Sequence, residues 1–393
     1  MTANRFQSID GLRGIAALSV IVQHCLEFTP LKDPSATFAS SPISYIFVND
    51  LNLGRFGVIV FFFISGFLIP SSIGNHTGAI TSFVIGRFFR LYPLYWLSIV
   101  LALVAAAAVG NKMPTVIQVV ANLSMFQMLF GIENILYPYW TLLIEHFFYI
   151  LCVLFFIVGA LHDRNKMRLI MFASGAFIAF LAIVLMIRPD LPHAKQVADL
   201  MYTASFLFAM IVGHNIRLAQ TGEGFSLPGE IPATCVAVFL LICIARQFLG
   251  DYSALLTPAS VFISTIGALA LFLVALQMRL FSSSPFVYLG QISYGLYLFH
   301  GIALWIAIKF TGKPTDVVHA LLLLSFVVGL TFVVSALTFR FVETPCIAIG
   351  RSVRRRVAQG RVILRDNEAL ASIRVGDAMR PLKEQPTSPD ARG

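Results

Sequence analysis

Between residues 12 and 341 the chain alternates long apolar runs with short polar connections, and the lengths of the runs decide the fold class. Eleven runs can be drawn, at 12–28, 53–73, 91–110, 116–130, 139–161, 168–187, 199–217, 232–249, 255–277, 286–308 and 317–341. About 20 apolar residues cross the hydrocarbon core of a bilayer as a helix. Run 116–130 falls short of that and carries Gln118, Asn122, Ser124 and Gln127. The pattern predicts an all-α polytopic membrane protein of about ten transmembrane helices, with 116–130 as one short re-entrant or interfacial helix on the outer side. Irregular backbone at that depth is tolerated only against protein or a water-filled cavity, so this segment is a candidate wall of a site. The first ten residues are polar and lack a basic stretch and a cleavage site, so the first run is expected to stay in the protein as a helix.

The charges between the runs test this count. With the N-terminus inside, Arg87 and Arg90 fall in the cytoplasm. If 116–130 crossed, the cluster Arg164, Lys166 and Arg168 would lie outside, together with the arginines that follow the last run. If it does not cross, both clusters are cytoplasmic, as are Arg217 and Arg279, which is what the positive-inside rule requires. Both termini are therefore expected in the cytoplasm. Residues 1–350 read as one transmembrane domain and 351–393 as a basic cytoplasmic tail. Its last part, 360–393, has no apolar periodicity and is expected to be disordered.

Composition agrees with a membrane protein: 58% of the 393 residues are hydrophobic and 12% charged, against about 25% charged in soluble domains. The net charge of +9 is no nucleic-acid signature. The tail from Arg351 holds ten Lys/Arg against five Asp/Glu and supplies +5 of it. Its dense cluster, Arg351, Arg354, Arg355 and Arg356, follows an apolar helix directly and can also touch anionic membrane lipid. The five cysteines show neither disulfide-framework nor metal-ligand spacing and read as small buried hydrophobes. With no HExxH or Cys/His pattern, no metal is expected. No internal repeat is seen, and no paired Gly/Pro-broken helices of the transporter kind.

Ionisable groups inside apolar runs are costly and mark functional sites. Arg13 and His24 are eleven residues apart on the first run, so they fall within about 20° of one helix face and about 16 Å apart along it. That stripe suits an elongated ligand, its anionic end at the surface and its reactive end within the bilayer. Glu145 is placed about 9 Å below the outer surface, and His300 also reaches the outer half, so His24, Glu145 and His300 are expected at one depth. An imidazole can take a proton from a hydroxyl, and a neighbouring carboxylate can fix its tautomer. The plainer reading of each is a hydrogen bond to a neighbouring helix. His146, about 100° from Glu145, reads as packing.

Arg87 and Arg90 share a face at i, i+3. Their planar forks suit phosphate, and with Arg13 they could form a phosphate cradle; positive-inside anchoring is the alternative. Tyr92, Tyr95, Trp96, Tyr139 and Trp140 fit an interfacial aromatic belt, and Trp140 can instead line an acceptor site. Ser65 and Gly66 are small residues that let helices approach closely; no GxSxG surrounds Ser65. Glu343 reads as a helix-end residue paired with Arg340 or the tail. Buried His and Glu also make proton relays, so a proton-coupled transporter or flippase is the competing class.

Six stretches taken in order resemble the acyltransferase 3 family of integral membrane acyltransferases: SIDGLRGIAALSVIVQH (8–24), GVIVFFFISGFLI (57–69), FVIGRFFRLYPLYW (83–96), YWTLLIEHFFY (139–149), LGQISYGLYLFH (289–300) and FVETP (341–345). The resemblance implies a ten-helix bundle that moves an acyl group, commonly acetyl, from cytoplasmic acyl-CoA to a hydroxyl. The implied acceptor is a glycan or lipid-linked sugar of the cell surface, and the implied location a bacterial inner membrane. The family's Arg-x10-His motif matches Arg13 and His24, its Arg-x-x-Arg motif Arg87 and Arg90, and its acidic residue Glu145. On this reading the arginines bind the donor's phosphates, and His24 and Glu145 are catalytic. Trp140 and His300 contact the acceptor. His24 acts either as general base or as the carrier of a covalent acyl group. Many relatives carry a further C-terminal SGNH hydrolase-like domain, and this chain reads as the form without it.

Overall fold

The computed structural model describes residues 3–28, 51–220, 227–248, 257–278 and 280–359, and these contain helices and no strand. In chain order the helices are α1 (Ala3–Leu26), α2 (Leu53–Leu68), α3 (Ala79–Val109), α4 (Val116–Asn122), α5 (Trp140–Ile157), α6 (Arg164–Ile187), α7 (Ala194–Ala219), α8 (Glu230–Phe248), α9 (Pro258–Met278), α10 (Ser284–Gln291), α11 (Ser293–Thr311) and α12 (Val317–Thr338). A π-helical turn, Phe339–Glu343, follows α12, and helix then runs on to Gln359. Among the described residues ten helical segments are long and apolar enough to cross a membrane. The disorder expected for 360–393 and the sidedness of Arg279 fall on residues outside the description.

Three short polar signals set helix starts. Asp163 accepts from the backbone N–H groups of Asn165 and Lys166 at 2.9 and 3.0 Å and opens α6. Asn52 accepts from Arg55 N–H at 2.8 Å and opens α2. Thr115 opens α4 in the same way. Each side-chain oxygen satisfies an orphan donor of the first turn.

The region 116–130 does not cross: α4 has seven residues and is followed by a 3-10 turn, Gln127–Phe130. The carbonyls at its C-terminal end are what the aromatic residues of α3 hold. Tyr95 Oη donates to Asn122 O at 2.7 Å, Trp96 Nε1 to Leu123 O at 3.0 Å and Tyr92 Oη to Ser124 O at 3.0 Å. The last carbonyls of a helix have no intrahelical partner, so three hydroxyl or indole donors pin the segment. Tyr139 is likewise turned inward, its hydroxyl 2.7 Å from Ser98 Oγ.

Helix α2 is central, with α1 on one side and α7 on the other. The close approach rests on glycine: a Cβ on Gly66 would stand 1.8 Å from Met210 O. A second glycine fixes the site described below. The run 286–308 breaks at Ile292 into α10 and α11, and α10 lies against α1, where a Cβ on Gly290 would stand 1.7 Å from Asp10 O. The peripheral helices α6 and α12 leave Leu169, Phe180, Leu321, Leu322 and Val333 exposed. Such apolar faces fit a lipid boundary.

Candidate active site

The site is in two tiers joined by one aromatic residue. The lower tier is a cavity of about 530 Å³ lined from α1 by Asp10 and Arg13, from α3 by Arg87 and Arg90, from α5 by Glu145, and from the π-turn by Glu343. That volume is in the range of small-molecule sites. Arg13 is within electrostatic reach of Arg90, Asp10, Glu343 and Glu145. Arg87 sits over the rings of Phe83 and Tyr149, 5.3 and 5.6 Å from their centroids, and its Nη2 donates to Ser72 Oγ at 2.9 Å. Tyr149 Oη donates to Glu145 Oε1 at 2.5 Å. Three guanidiniums therefore face three carboxyl groups, and the two rings hold Arg87 in place by cation–π contact.

The upper tier is a pair of stacked imidazoles. His24 and His300 lie 5.2 Å apart between centroids, 17° from coplanar, with Tyr137 edge-on to His24 at 5.7 Å. His24 Nδ1 is 3.0 Å from Glu27 Oε2. A carboxylate can only accept, so the pair is satisfied when Nδ1 carries the proton, and Nε2 is then the basic nitrogen. His300 Nδ1 is 2.8 Å from Tyr297 O, a carbonyl, so here too Nδ1 donates and Nε2 accepts. His300 is buried, whereas 19% of the His24 side chain is accessible. Tyr297 belongs to both tiers. Its ring centroid is 5.9 Å from that of His300, it lines the cavity, and its hydroxyl is 2.9 Å from Thr141 Oγ1.

The structure thus brings Arg13, Arg87 and Arg90 into one cavity and stacks His24 on His300. It does not bring Glu145 to His24. The expectation that Glu145 shares the depth of His24 and orients its ring is corrected: Glu27 occupies that place, and Glu145 lies in the arginine tier. The reason is where the fifth helix begins. The apolar run puts the start of that helix at the outer surface, whereas Tyr137, exposed and edge-on to His24, already stands at the level of the imidazoles, with Pro138 and Tyr139 of the same turn buried. Glu145 is eight residues further on, about 12 Å at 1.5 Å per residue. The Trp140 ring is 5.2 Å from that of Phe206 of α7. Glu343 is corrected as well. It is 3% exposed, lines the cavity and is within reach of Arg90 and Arg13, while Arg340 sits over the Phe341 ring. His146 packs as expected, against Tyr92 and Phe126.

Sequence reasoning missed Asp10, Glu27, Tyr149 and Tyr297. For three of them a signal existed in helix spacing: Asp10 is i−3 from Arg13, Glu27 is i+3 from His24 and Tyr149 is i+4 from Glu145.

Comparison with known proteins was made against this geometry. Residues 6–340 match the family described as an acyltransferase domain, acyltransferase 3. YrhL of Bacillus subtilis (strain 168), a candidate peptidoglycan O-acetyltransferase, is 28% identical over 388 residues, covering 90% of this chain and 57% of that one. The peptidoglycan O-acetyltransferase OatA of Listeria monocytogenes serovar 1/2a is 25% identical over 377 residues, covering 86% and 55%. The exopolysaccharide production protein ExoZ of Rhizobium meliloti (strain 1021) is 27% identical over 325 residues, covering 78% and 93%. The chain spans just over half the length of the first two. No solved structure gives a significant match.

Proposed function

The chain belongs to the acyltransferase 3 family, and from that premise we propose that it is an O-acyltransferase acting across a bacterial inner membrane. It moves an acyl group, acetyl in the first instance, from cytoplasmic acyl-CoA to a hydroxyl of a glycan or lipid-linked sugar. The observation that carries this reading is the arrangement of an arginine cavity below a partly accessible imidazole, with α1 contributing Arg13 to the first and His24 as the second. The names of the relatives, which refer to peptidoglycan and exopolysaccharide, support a glycan acceptor.

In the proposed reaction Arg13, Arg87 and Arg90 bind the phosphates of the donor, and its pantetheine arm runs along α1 past Tyr297. The thioester then lies beside His24. The Nε2 of His24 takes the proton of the acceptor hydroxyl, whose oxygen attacks the thioester carbonyl. The C–S bond breaks, the acyl group is left on the acceptor as an ester, and the thiolate takes up a proton as it leaves. Glu27 holds the ring and stabilises its charged form, the part played by a carboxylate beside a general base. His300 offers its own Nε2 to the acceptor hydroxyl. Glu145 serves the lower tier: with Tyr149 it fixes the arginines.

Purified protein in lipid vesicles, given acyl-labelled acetyl-CoA and a glycan acceptor, is expected to place the label in an alkali-labile ester on the acceptor. Movement of a solute with no label transferred would establish the transporter class instead. Sidedness has its own test. Arginine-rich segments between the spans support cytoplasmic termini, and Lys166 is an exposed residue of one of them, in the first turn of α6. With the native cysteines removed, Lys166→Cys in intact cells is expected to resist a membrane-impermeant thiol reagent and to react once the membrane is opened. Labelling in intact cells overturns the orientation.

A further inference from the structure

The last helix does not stop at the membrane boundary that the apolar run marks. It passes through the π-turn and continues to Gln359, which places the Arg351–Arg356 cluster on ordered helix and not in a tail. One stripe of this extension faces the N-terminal half of α3. Glu343, Ile347, Gly350 and Arg354 recur at i, i+4, i+7 and i+11, the spacing of one helix face. Glu343 and Ile347 line the arginine cavity. Gly350 lies against Phe89, whose Cβ is 2.7 Å from where a Cβ on Gly350 would stand. Arg354 reaches Gly86, its Nη1 3.4 Å from the equivalent point there. The other three arginines of the cluster are exposed.

Two facts bear on Arg354, the first shared with Arg55 of α2, whose Nε and Nη2 are also buried without a partner. The Arg354 Nε is buried and has no hydrogen-bond partner, and no carboxylate pairs with Arg354 among the described residues. A buried donor without a partner is the exception in folded proteins and calls for an explanation. Inside the cavity the formal charges cancel: Arg13, Arg87 and Arg90 against Asp10, Glu145 and Glu343. Arg354 is an uncompensated cation beside them. Gly86 precedes Arg90 by four residues on α3, so the guanidinium stands one turn, about 6 Å, beyond the Arg90 backbone, on the side away from His24.

We infer that Arg354 binds the 3′-phosphate on the adenosine of the donor. This inference rests on the reading of the donor as acyl-CoA. Along that molecule the order is thioester, pantetheine, diphosphate, adenosine with its 3′-phosphate. Along the protein the order is His24, Tyr297, the three cavity arginines, Arg354. A terminal phosphomonoester dianion matches the fork of an arginine that has no internal counter-ion. It also brings the attraction for an anion that a charge-balanced cavity lacks.

The test compares acetyl-CoA with acetyl-dephospho-CoA, which lacks only that phosphate, on the full chain in lipid. The wild type is expected to favour acetyl-CoA by about tenfold in kcat/KM, the size of one charge-assisted hydrogen bond. In Arg354→Gln the preference is expected to fall to about one, through a raised KM for acetyl-CoA. Arg351→Gln, at an exposed neighbour, is expected to keep the wild-type preference. If Arg354→Gln does not fold, Arg354→Met, which keeps the aliphatic stem, carries the same expectation. A wild-type preference retained in either variant overturns the assignment, as does an equal rise in KM for both donors or a wild type indifferent to the phosphate. A wild type that uses neither donor would remove acyl-CoA as the donor altogether, an outcome distinct from the others.

Discussion

His24→Ala is expected to lower acyl transfer by about 10²–10⁴-fold while leaving the affinity for acyl-CoA close to that of the wild type. The magnitude is that of a positioned general base. The separation of the two effects follows from the two tiers. His24 does not line the arginine cavity, and along α1 it is about 16 Å from Arg13. Its contacts are with Glu27, His300 and Tyr137, so its removal disturbs none of the groups assigned to the phosphates. The measurement is kcat under saturating donor, paired with equilibrium binding of a non-transferable CoA analogue. A variant with near wild-type kcat would sink the general-base role of His24. A variant with normal binding and no transfer is the expected result.

The second large effect is the converse. Arg87→Ala combined with Arg90→Ala is expected to weaken donor binding by about 10²-fold or more, since each charge-assisted contact is worth about 1.5–3 kcal/mol and 1.4 kcal/mol is about tenfold. Part of the loss is indirect. Removing Arg90 takes a counter-charge from Glu343 and Asp10, and a carboxylate left in a partly buried site without its partner is destabilising. Removing Arg87 also leaves Ser72 Oγ without its donor and the Phe83 and Tyr149 rings without their cation. Binding titration of the analogue against the double variant checks this. Unchanged affinity in a folded double variant would show that these arginines anchor the helix and nothing else.

Which parts of the site could be read early depends on how far apart in the chain the partners are. Arg13 with His24, and Arg87 with Arg90, are relations within one helix. Helix period alone puts them on a face, and no knowledge of neighbours is needed. The non-crossing segment 116–130 was legible from its length and from Gln118, Asn122 and Gln127. What those residues do was not: Asn122 donates to Glu133 O at 3.0 Å and Gln127 to Asn134 at 2.5 Å, satisfying groups within the same fold-back. Hydropathy places Glu145 too near the depth of His24 because it marks where an apolar run begins and not the level at which the preceding turn meets its neighbours, here Tyr137 against His24. Glu343 is hidden for a related reason: it follows the last apolar residues, where the hydropathy pattern marks a helix end, while the helix continues through the π-turn to Gln359.

By itself the sequence determined the helical class, the number of spans and the stripes that each helix presents, because hydrophobic length and a 3.6-residue period are local properties. Tertiary structure alone decided which stripes meet. Gly290 against Asp10 seats α10 on α1, the π-turn aims Glu343 at Arg13 and Arg90, and α11 sets His300 on His24. Those are contacts between residues hundreds of positions apart, fixed by close packing between helices, and no pattern within one helix encodes them.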